Sequence, residues 1–390
     1  LTQANQDSAT GTVKEDSVLK HFPKVEVLGQ TRPATHIFLT GVTGFVGAHL
    51  VDSLRRNSVC RITALIRARN ELHAIDRLEQ SLKNYGLPSI RNETSRIRVL
   101  PGDLAAPNLG LNDLLWSQLC QETDEVIHNG ALVNYIAPYR EMKAPNVDGT
   151  RTIIELCRTG SLKHLHYVSS TIIYGWAQGI VLENDRNAEM AGIDFGYSES
   201  KWAAEQLVWQ AMELGLPSTI YRPAMLTAST TGGFSDDDIM ASLLRYFITH
   251  KVYLDMPNQI SMMPVDKFAD LMLAISEVKP RPHRAYNITM PYANFGMICE
   301  LMGKQLGITF QPLSFEAFSE HLTNHCKPGA PFFPFVNFYQ RTFHKLRQMD
   351  KKRYSRDNFQ DVASRLGYVD PPLDDVVSHI LKFFGSTHHG

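Results

Sequence analysis

His36-Ile-Phe-Leu-Thr40-Gly41-Val-Thr-Gly44-Phe-Val-Gly47-Ala-His-Leu-Val-Asp-Ser-Leu54 decides how the rest of the chain is read. A short apolar run meets three glycines spaced G-x-x-G-x-x-G and passes straight into a helix-type pattern. This is the arrangement of a dinucleotide site. A buried strand ends, the glycines tighten the turn, and the next helix points its free N–H groups at a pyrophosphate. Gly47 lets that helix press closely on the sheet. Three glycines alone are a weak signal; the strand before them and the helix after them strengthen it.

Outward from this stretch, strands and helices alternate. Expected strands cover residues 36–40, 61–66, 96–100, 125–128, 164–168 and 218–221. Expected helices run from the glycine turn to about 57, then over 71–85, 111–119, 139–158 and 197–214. Such alternation predicts an α/β fold, a Rossmann-like doubly wound parallel sheet with helices on both faces. After Arg222-Pro223 the rhythm breaks. Helices are expected over 236–250, 264–277, 295–306 and 315–324, with short strands near 252–254 and 285–289. The expected organisation is a polar linker at 1–33, a nucleotide-binding domain at 34–225, and a smaller, mostly helical C-terminal substrate lobe at 226–390.

Composition excludes several classes. The 390 residues are 43% apolar, enough for a sizeable core. Lys plus Arg number 39 against 40 Asp plus Glu, without the basic surplus of a nucleic-acid binder. No apolar run approaches the roughly 18 residues of a membrane span, and the polar first thirty residues show no signal-peptide pattern. The five cysteines (Cys60, Cys120, Cys157, Cys299 and Cys326) are scattered and never form C-x-x-C. That usage suits a reducing, cytoplasmic compartment without disulfides. The chain begins with Leu1, as expected of a piece cut from something larger.

The end of the second strand carries Arg67, twenty residues after Gly47, then Arg69, with Arg77 on the next helix. An NAD site usually has an acid there for the ribose 2′-hydroxyl. Guanidinium groups instead suit a 2′-phosphate, each charge-assisted bond contributing about 1.5–3 kcal/mol. NADPH is therefore expected over NADH, the competing reading being ordinary solvated arginines. Asp103 and Leu104 are placed to meet the adenine, with a helix cap as the alternative role for Asp103. Gly130 and Ala131 lie where the backbone runs close to the ribose. Tyr197 and Lys201 sit at i and i+4 on one helix face. A positive charge beside the phenol lowers its pKa and makes it a better proton donor to a carbonyl. A third hydroxyl is expected from Ser169-Ser170-Thr171, to hold a developing oxyanion. Pro223, after the sixth strand, is expected beside the nicotinamide carboxamide.

Together, Thr40–Gly47, the Tyr197/Lys201 pair and Ser170 resemble the extended short-chain dehydrogenase/reductases. The likeness narrows at Leu65-Ile-Arg67-Ala68 with Arg77, Gly102-Asp-Leu104 leading to Leu109-Gly-Leu111, and His128-Asn-Gly-Ala131. It continues in Tyr139, Asn146-Val-Asp-Gly-Thr150, His166-Tyr-Val-Ser-Ser170 and Met263-Pro-Val-Asp266. These segments, spanning about residues 35 to 290, resemble the thioester reductase domains of polyketide synthases and nonribosomal peptide synthetases. The resemblance implies that Thr40, Gly41, Thr43, Gly44, Phe45, Val46, Gly47 and Asn129 join the residues above in holding NADPH. It implies Ser170 as the catalytic hydroxyl, because Tyr174-Gly175 sets the register, with Thr171 as runner-up. It also implies a carrier domain as partner, presenting an acyl or peptidyl thioester on phosphopantetheine for release as aldehyde or alcohol. Some relatives instead release product by Dieckmann-type cyclisation. A reductase of a free small-molecule carbonyl is the other alternative.

No metal is expected. His321 and His325 are four apart, but no third ligand is evident, and they read as surface residues. His164 and His166 read as flanking the sheet, and Lys351-Lys-Arg353 as a solvated patch. Phe332-Phe-Pro-Phe335 reads as either pocket lining or core.

Overall fold

Strands buried on both faces carry apolar runs, and these form the main sheet. In the computed structural model, which describes residues 11–20, 23–24, 34–235, 238–257, 259–346 and 352–386, seven strands make one sheet. They are β1 His36–Thr40, β2 Arg61–Ile66, β3 Ile97–Pro101, β4 Glu125–His128, β5 His164–Val168, β6 Ser218–Pro223 and β7 Ala285–Ile288. Their order is β7-β6-β5-β4-β1-β2-β3. From β3 across to β6 all neighbours pair in parallel. The chain's direction of travel reverses between β1 and β4, and in such a sheet the ligand crevice opens beyond the carboxyl ends of that strand pair. Thr40 and His128 are register partners at that place.

The helix Phe45–Asn57 buries Gly47, Leu50, Val51 and Leu54, the i, i+3, i+4, i+7 stripe of a helix lying on a sheet. The helix expected over 111–119 runs Asp113–Glu122, with the Asn112 side chain as its cap. The helix expected over 139–158 is not uniform. It is α-helical over Tyr139–Met142, π-helical over Lys143–Asp148, and α-helical again over Gly149–Arg158. Pro145 explains the break: it has no N–H to give, so the ladder widens around it.

Two compact units result. The first comprises residues 1–175, 184–222 and 272–286; the second comprises 176–183, 223–271 and 287–390. On either side of the boundary expected at 225, residues 176–183 go with the second unit and 272–286 with the first. The strand expected within the C-terminal lobe is β7, which joins the main sheet beside β6. Part of the expected linker is also ordered. Residues 11–16 are helical, and Val13 is fully buried. Of the remaining linker, residues 1–10, 21–22 and 25–33 lie outside the described residues.

The second unit is mostly helical, with small sheets. Met225–Thr227 and Tyr292–Ala293 flank Ile260–Pro264, and Val252–Leu254 pairs with Gln311–Leu313. Buried Glu183 ties three of its segments together. That carboxylate accepts the N–H groups of Asn287 at 3.0 Å, Asn358 at 2.6 Å and Phe359 at 3.1 Å, capping the start of the helix Asp357–Arg365.

Candidate active site

Backbone approach at the glycine turn is close. A Cβ on Gly47 would lie 2.0 Å from the carbonyl oxygen of Gly41, and one on Gly41 would lie 2.6 Å from Gly130 Cα. Gly41 also has φ +75°, a conformation that favours glycine. Gly44 is less constrained, its nearest contact being 3.4 Å. The helix that follows has Gly44 as N-cap, no side-chain cap bond and no acidic residue in its first turn. Its N–H end is therefore left for an anion. Thr43, Phe45 and Val46 are half-buried around this turn. The cradle fits a dinucleotide pyrophosphate.

Thr40 itself faces inward. The Gly130 N–H donates to Thr40 Oγ1 at 2.9 Å, and Thr40 Oγ1 lies 2.7 Å from His128 Nδ1. On the other side His128 Nε2 lies 3.0 Å from Thr150 Oγ1, whose hydroxyl donates to the Asn146 carbonyl at 2.6 Å. Because the Thr150 proton is directed at that carbonyl, His128 must donate through Nε2 and accept through Nδ1. Burial, with the Lys201 charge, lowers the His128 pKa to about 3, so the ring is neutral and the relay has one sense. Thr40 thus ties the ends of β1 and β4 together.

At the other end of the crevice a pocket of about 630 Å³ is lined by Arg67, Arg69, Arg77, Gly102 and Asp103. Arg67 and Arg69 are exposed, and Arg77 donates to the Arg67 carbonyl. Three guanidinium groups around one pocket suit a phosphate. The Asp103 carboxylate accepts the Ala105 N–H at 2.9 Å, so it shapes the local turn. Leu104 packs where Gly130 leaves space: a Cβ on Gly130 would lie 2.5 Å from Leu104 Cδ1. The Asn129 amide reaches the Gly41 carbonyl at 3.4 Å, and Ala131 is half-buried.

The helix Gly196–Glu213 carries Tyr197 and Lys201. Gly196 allows it to begin against the 137–139 backbone, where a Cβ would lie 2.5 Å from the Ala137 oxygen. Tyr197 is 8% exposed, and among the described residues its hydroxyl has no hydrogen-bond partner. Its ring meets the edge of Tyr135 at 5.6 Å. Lys201 is buried, and its ammonium donates to the Val168 carbonyl at 2.8 Å and lies 4.7 Å from the Tyr167 ring centroid. The expected lowering of the phenol pKa is not what the structure shows. Burial raises the Tyr197 pKa, while the Lys201 ammonium is engaged by the Val168 carbonyl at the end of β5. Burial also brings Lys201 itself down to about 8, against the raising effect of Glu205.

Beyond β5, Ser169 is buried and donates to Glu205. Ser170 is half-exposed and accepts the Ile172 N–H at 3.2 Å, capping the one-turn helix Thr171–Tyr174. Thr171 is buried. Behind this edge Glu205 and Arg222 form a fully buried ion pair, with Arg222 Nε 3.1 Å from both carboxylate oxygens. Trp209 Nε1 donates to the same carboxylate at 3.0 Å. Pro223 is buried at the end of β6.

Asn146 was not among the expected site residues. Its side chain accepts the Leu132 N–H at 2.6 Å, donates to the Leu132 carbonyl at 3.0 Å and donates to Ser200 Oγ at 2.9 Å. It thereby joins the loop after Gly130 to the Tyr197 helix. The signal that marks it is Pro145 inside an otherwise helical pattern, since π-turns cluster at functional sites.

His164 and His166 are buried in a network rather than flanking the sheet. His166 lies 3.0 Å from Glu125 Oε2 and 2.9 Å from the Tyr221 hydroxyl, and Arg281 donates to Glu125 at 2.6 Å. His321 and His325 stack at 4.2 Å with His250 nearby, yet no group of three His, Cys, Asp or Glu among the described residues is arranged to hold a metal. Phe332 is core, against Tyr246 and Tyr339, whereas Phe333 is exposed. The basic patch is not solvated throughout. Lys352 is buried and its pKa falls to about 7 through burial, while Lys351 lies outside the described residues. All five cysteines are buried free thiols, and among the described residues no helix is long and apolar enough to cross a membrane.

Residues 39–272 match the NAD-binding family described as Male sterility protein. The L-2-aminoadipate reductase large subunit of Penicillium chrysogenum is 35% identical over 273 residues, covering 65% of this chain and 19% of that protein. The non-canonical nonribosomal peptide synthetase hkm10 of Aspergillus hancockii is 31% identical over 305 residues, covering 74% of this chain and 30% of that protein. The chain thus spans less than a third of the length of either relative. The crystal structure of the terminal R domain from the myxalamid PKS-NRPS pathway superposes with a TM-score of 0.89 at 27% identity, covering 97% of both chains. The chain belongs to the NAD-binding Male sterility family, and its fold is that of the terminal reductase domains of polyketide and nonribosomal peptide synthetases.

Proposed function

We propose that this chain is an NADPH-dependent thioester reductase acting in the cytoplasm. In this reading it releases an acyl or peptidyl chain from the phosphopantetheine arm of a carrier domain as an aldehyde, and on to an alcohol where a second round follows. The observation that carries the proposal is the Tyr197 phenol. It is buried, protonated and without a hydrogen-bond partner among the described residues, on the helix whose Lys201 is anchored at the end of β5.

Bound NADPH would supply a hydride to the acyl carbon. The chain's own residues do the rest. The turn Gly41–Gly47 and the helix N-terminus hold the pyrophosphate, and Arg67, Arg69 and Arg77 hold the 2′-phosphate. Tyr197 gives its proton to the acyl oxygen as charge develops there, and the Ser170 hydroxyl donates to the same atom. The resulting hemithioacetal breaks its C–S bond to give aldehyde and free thiol. Lys201, a buried cation at neutral pH held at the Val168 carbonyl, would bind the hydroxyls of the nicotinamide ribose.

The test is turnover of acyl-pantetheine thioesters with NADPH, products being identified by mass. The expected result is aldehyde or alcohol with matching NADPH oxidation, lost in Tyr197→Phe. A cyclised product formed without NADPH oxidation would overturn the proposal, as would reduction of free carbonyls but no thioester.

A further inference from the structure

We infer that the short helix at residues 11–16 is a clasp that positions the catalytic helix through the Tyr139–Asn146 segment. This inference rests on the reductase activity proposed above. The helix is anchored by fully buried Val13. The Asp16 carboxylate accepts the Tyr139 hydroxyl at 3.0 Å and lies 3.5 Å from Lys143 Nζ. The Asp16 carbonyl accepts from Arg151 at 2.7 Å. Gln210 brackets the next turn, accepting the Leu19 N–H at 2.9 Å and donating to the Ser17 carbonyl at 2.7 Å.

These partners converge on the site. Tyr139 and Lys143 precede Asn146 on the same helical segment, and Arg151 follows it. Gln210 lies on the helix that carries Tyr197 and Lys201. Asn146 joins the two elements, gripping both backbone groups of Leu132 and donating to Ser200, whose hydroxyl donates to the Tyr197 carbonyl at 2.9 Å. The link passes through the π-turn at Pro145, where the regular ladder is interrupted. Contacts from outside the helix therefore set its geometry there. The exposed part of the Lys143 ion pairing contributes little. The phenol–carboxylate bond and the buried valine carry the clasp, with Asp16, Tyr139 and Asn146 as positioning residues.

A staple that only adds stability would have a different signature. The experiment uses the full chain with Asp16→Ala, Tyr139→Phe, the double variant and Asp16→Asn. It reads kcat and KM with NADPH and an acyl-pantetheine thioester, the melting temperature, and backbone hydrogen exchange. Each single variant is expected to lower kcat about fivefold, the double variant no further, with KM for NADPH unchanged within about twofold. Asp16→Asn, which keeps an oxygen for the Tyr139 hydroxyl, is expected to retain most of kcat. Exchange should rise over residues 139–149 and 196–201 but not in β1–β3. Exchange changes confined to 11–20, or a kcat loss that only follows a chain-wide loss of stability, would overturn the clasp. Exchange needs no turnover, so a wild-type protein that fails to reduce thioesters would refute the proposed function and still leave the clasp tested.

Discussion

Replacing each glycine of the turn by alanine separates the three positions that the motif treats alike. At Gly47 the new Cβ would meet the Gly41 carbonyl oxygen at 2.0 Å, with the Gly41 carbonyl carbon and Val42 Cα also inside 3.0 Å. All three atoms are backbone, so no side chain can swing away. Restoring ordinary contact at 3.4 Å requires the helix Phe45–Asn57 to retreat by about 1.4 Å from the turn. A displacement of that size costs about 1–3 kcal/mol of stability as overpacking. It also withdraws the helix N–H groups from a bound phosphate, and a misplacement of about 1 Å is worth on the order of 100-fold in activity. Gly41→Ala meets Gly130 backbone at 2.6 Å and adds the strain of φ +75°, so a loss of similar size is expected. Gly44→Ala meets nothing nearer than 3.4 Å, and its extended backbone suits alanine. Its cost is limited to the poorer N-cap, about 1 kcal/mol or less. Calorimetric titration of NADP⁺ and urea melts of the three variants read both effects. The expected order of damage is Gly47 and Gly41 well above Gly44. Wild-type nucleotide affinity in Gly47→Ala, or equal losses at all three positions, would refute the reasoning.

Further outcomes are expected elsewhere. Arg67→Ala should raise KM for NADPH by about tenfold or more while leaving KM for NADH unchanged, and equal effects on both would remove the 2′-phosphate assignment. Reduction should decline as pH rises through about 8, because Lys201 then loses its charge, whereas the raised pKa of Tyr197 keeps the phenol protonated over that range. The same depressed lysine pKa makes its stability contribution improve with pH above about 8, since the unfolded chain still holds the proton there. A pH–rate profile flat to pH 10 would contradict the assigned role. Glu205→Leu strands Arg222 in a fully buried position and should cost about 3–5 kcal/mol, while Glu205→Leu with Arg222→Met should recover most of it in urea melts.

Much of the first unit was legible because its strands are buried on both faces. The bounds of β1, β2, β4 and β5 agree with the runs that predict them, and Gly41, Arg67, Asn129-Gly130 and Ser169 follow their ends. Strand β7 was visible as a strand, but its place was not. Periodicity speaks of an element's own faces and not of its neighbour across more than sixty residues. Residue type alone also hides which charged and polar residues are buried. Glu125, His166, Glu205, Arg222 and Lys352 look like surface by type, and only tertiary pairing or packing makes their burial tolerable. The dinucleotide cradle followed from its glycines, and the arginine pocket from residue positions. The role of Thr40, the engagement of Lys201 by Val168 and the grip of Asn146 depend on contacts between distant segments. Residues 11–16 have the composition of a linker, and a single buried valine is too little pattern to signal a docked helix.

The central claim is hydride delivery to a thioester carbon beside Tyr197. It is tested most directly with NADPH dideuterated at the nicotinamide C4 and an acyl-pantetheine thioester. The expected product is an aldehyde carrying one deuterium at its carbonyl carbon, with one NADPH oxidised and one thiol released per aldehyde. Release of the acyl chain with no deuterium incorporated and no NADPH oxidised would contradict it.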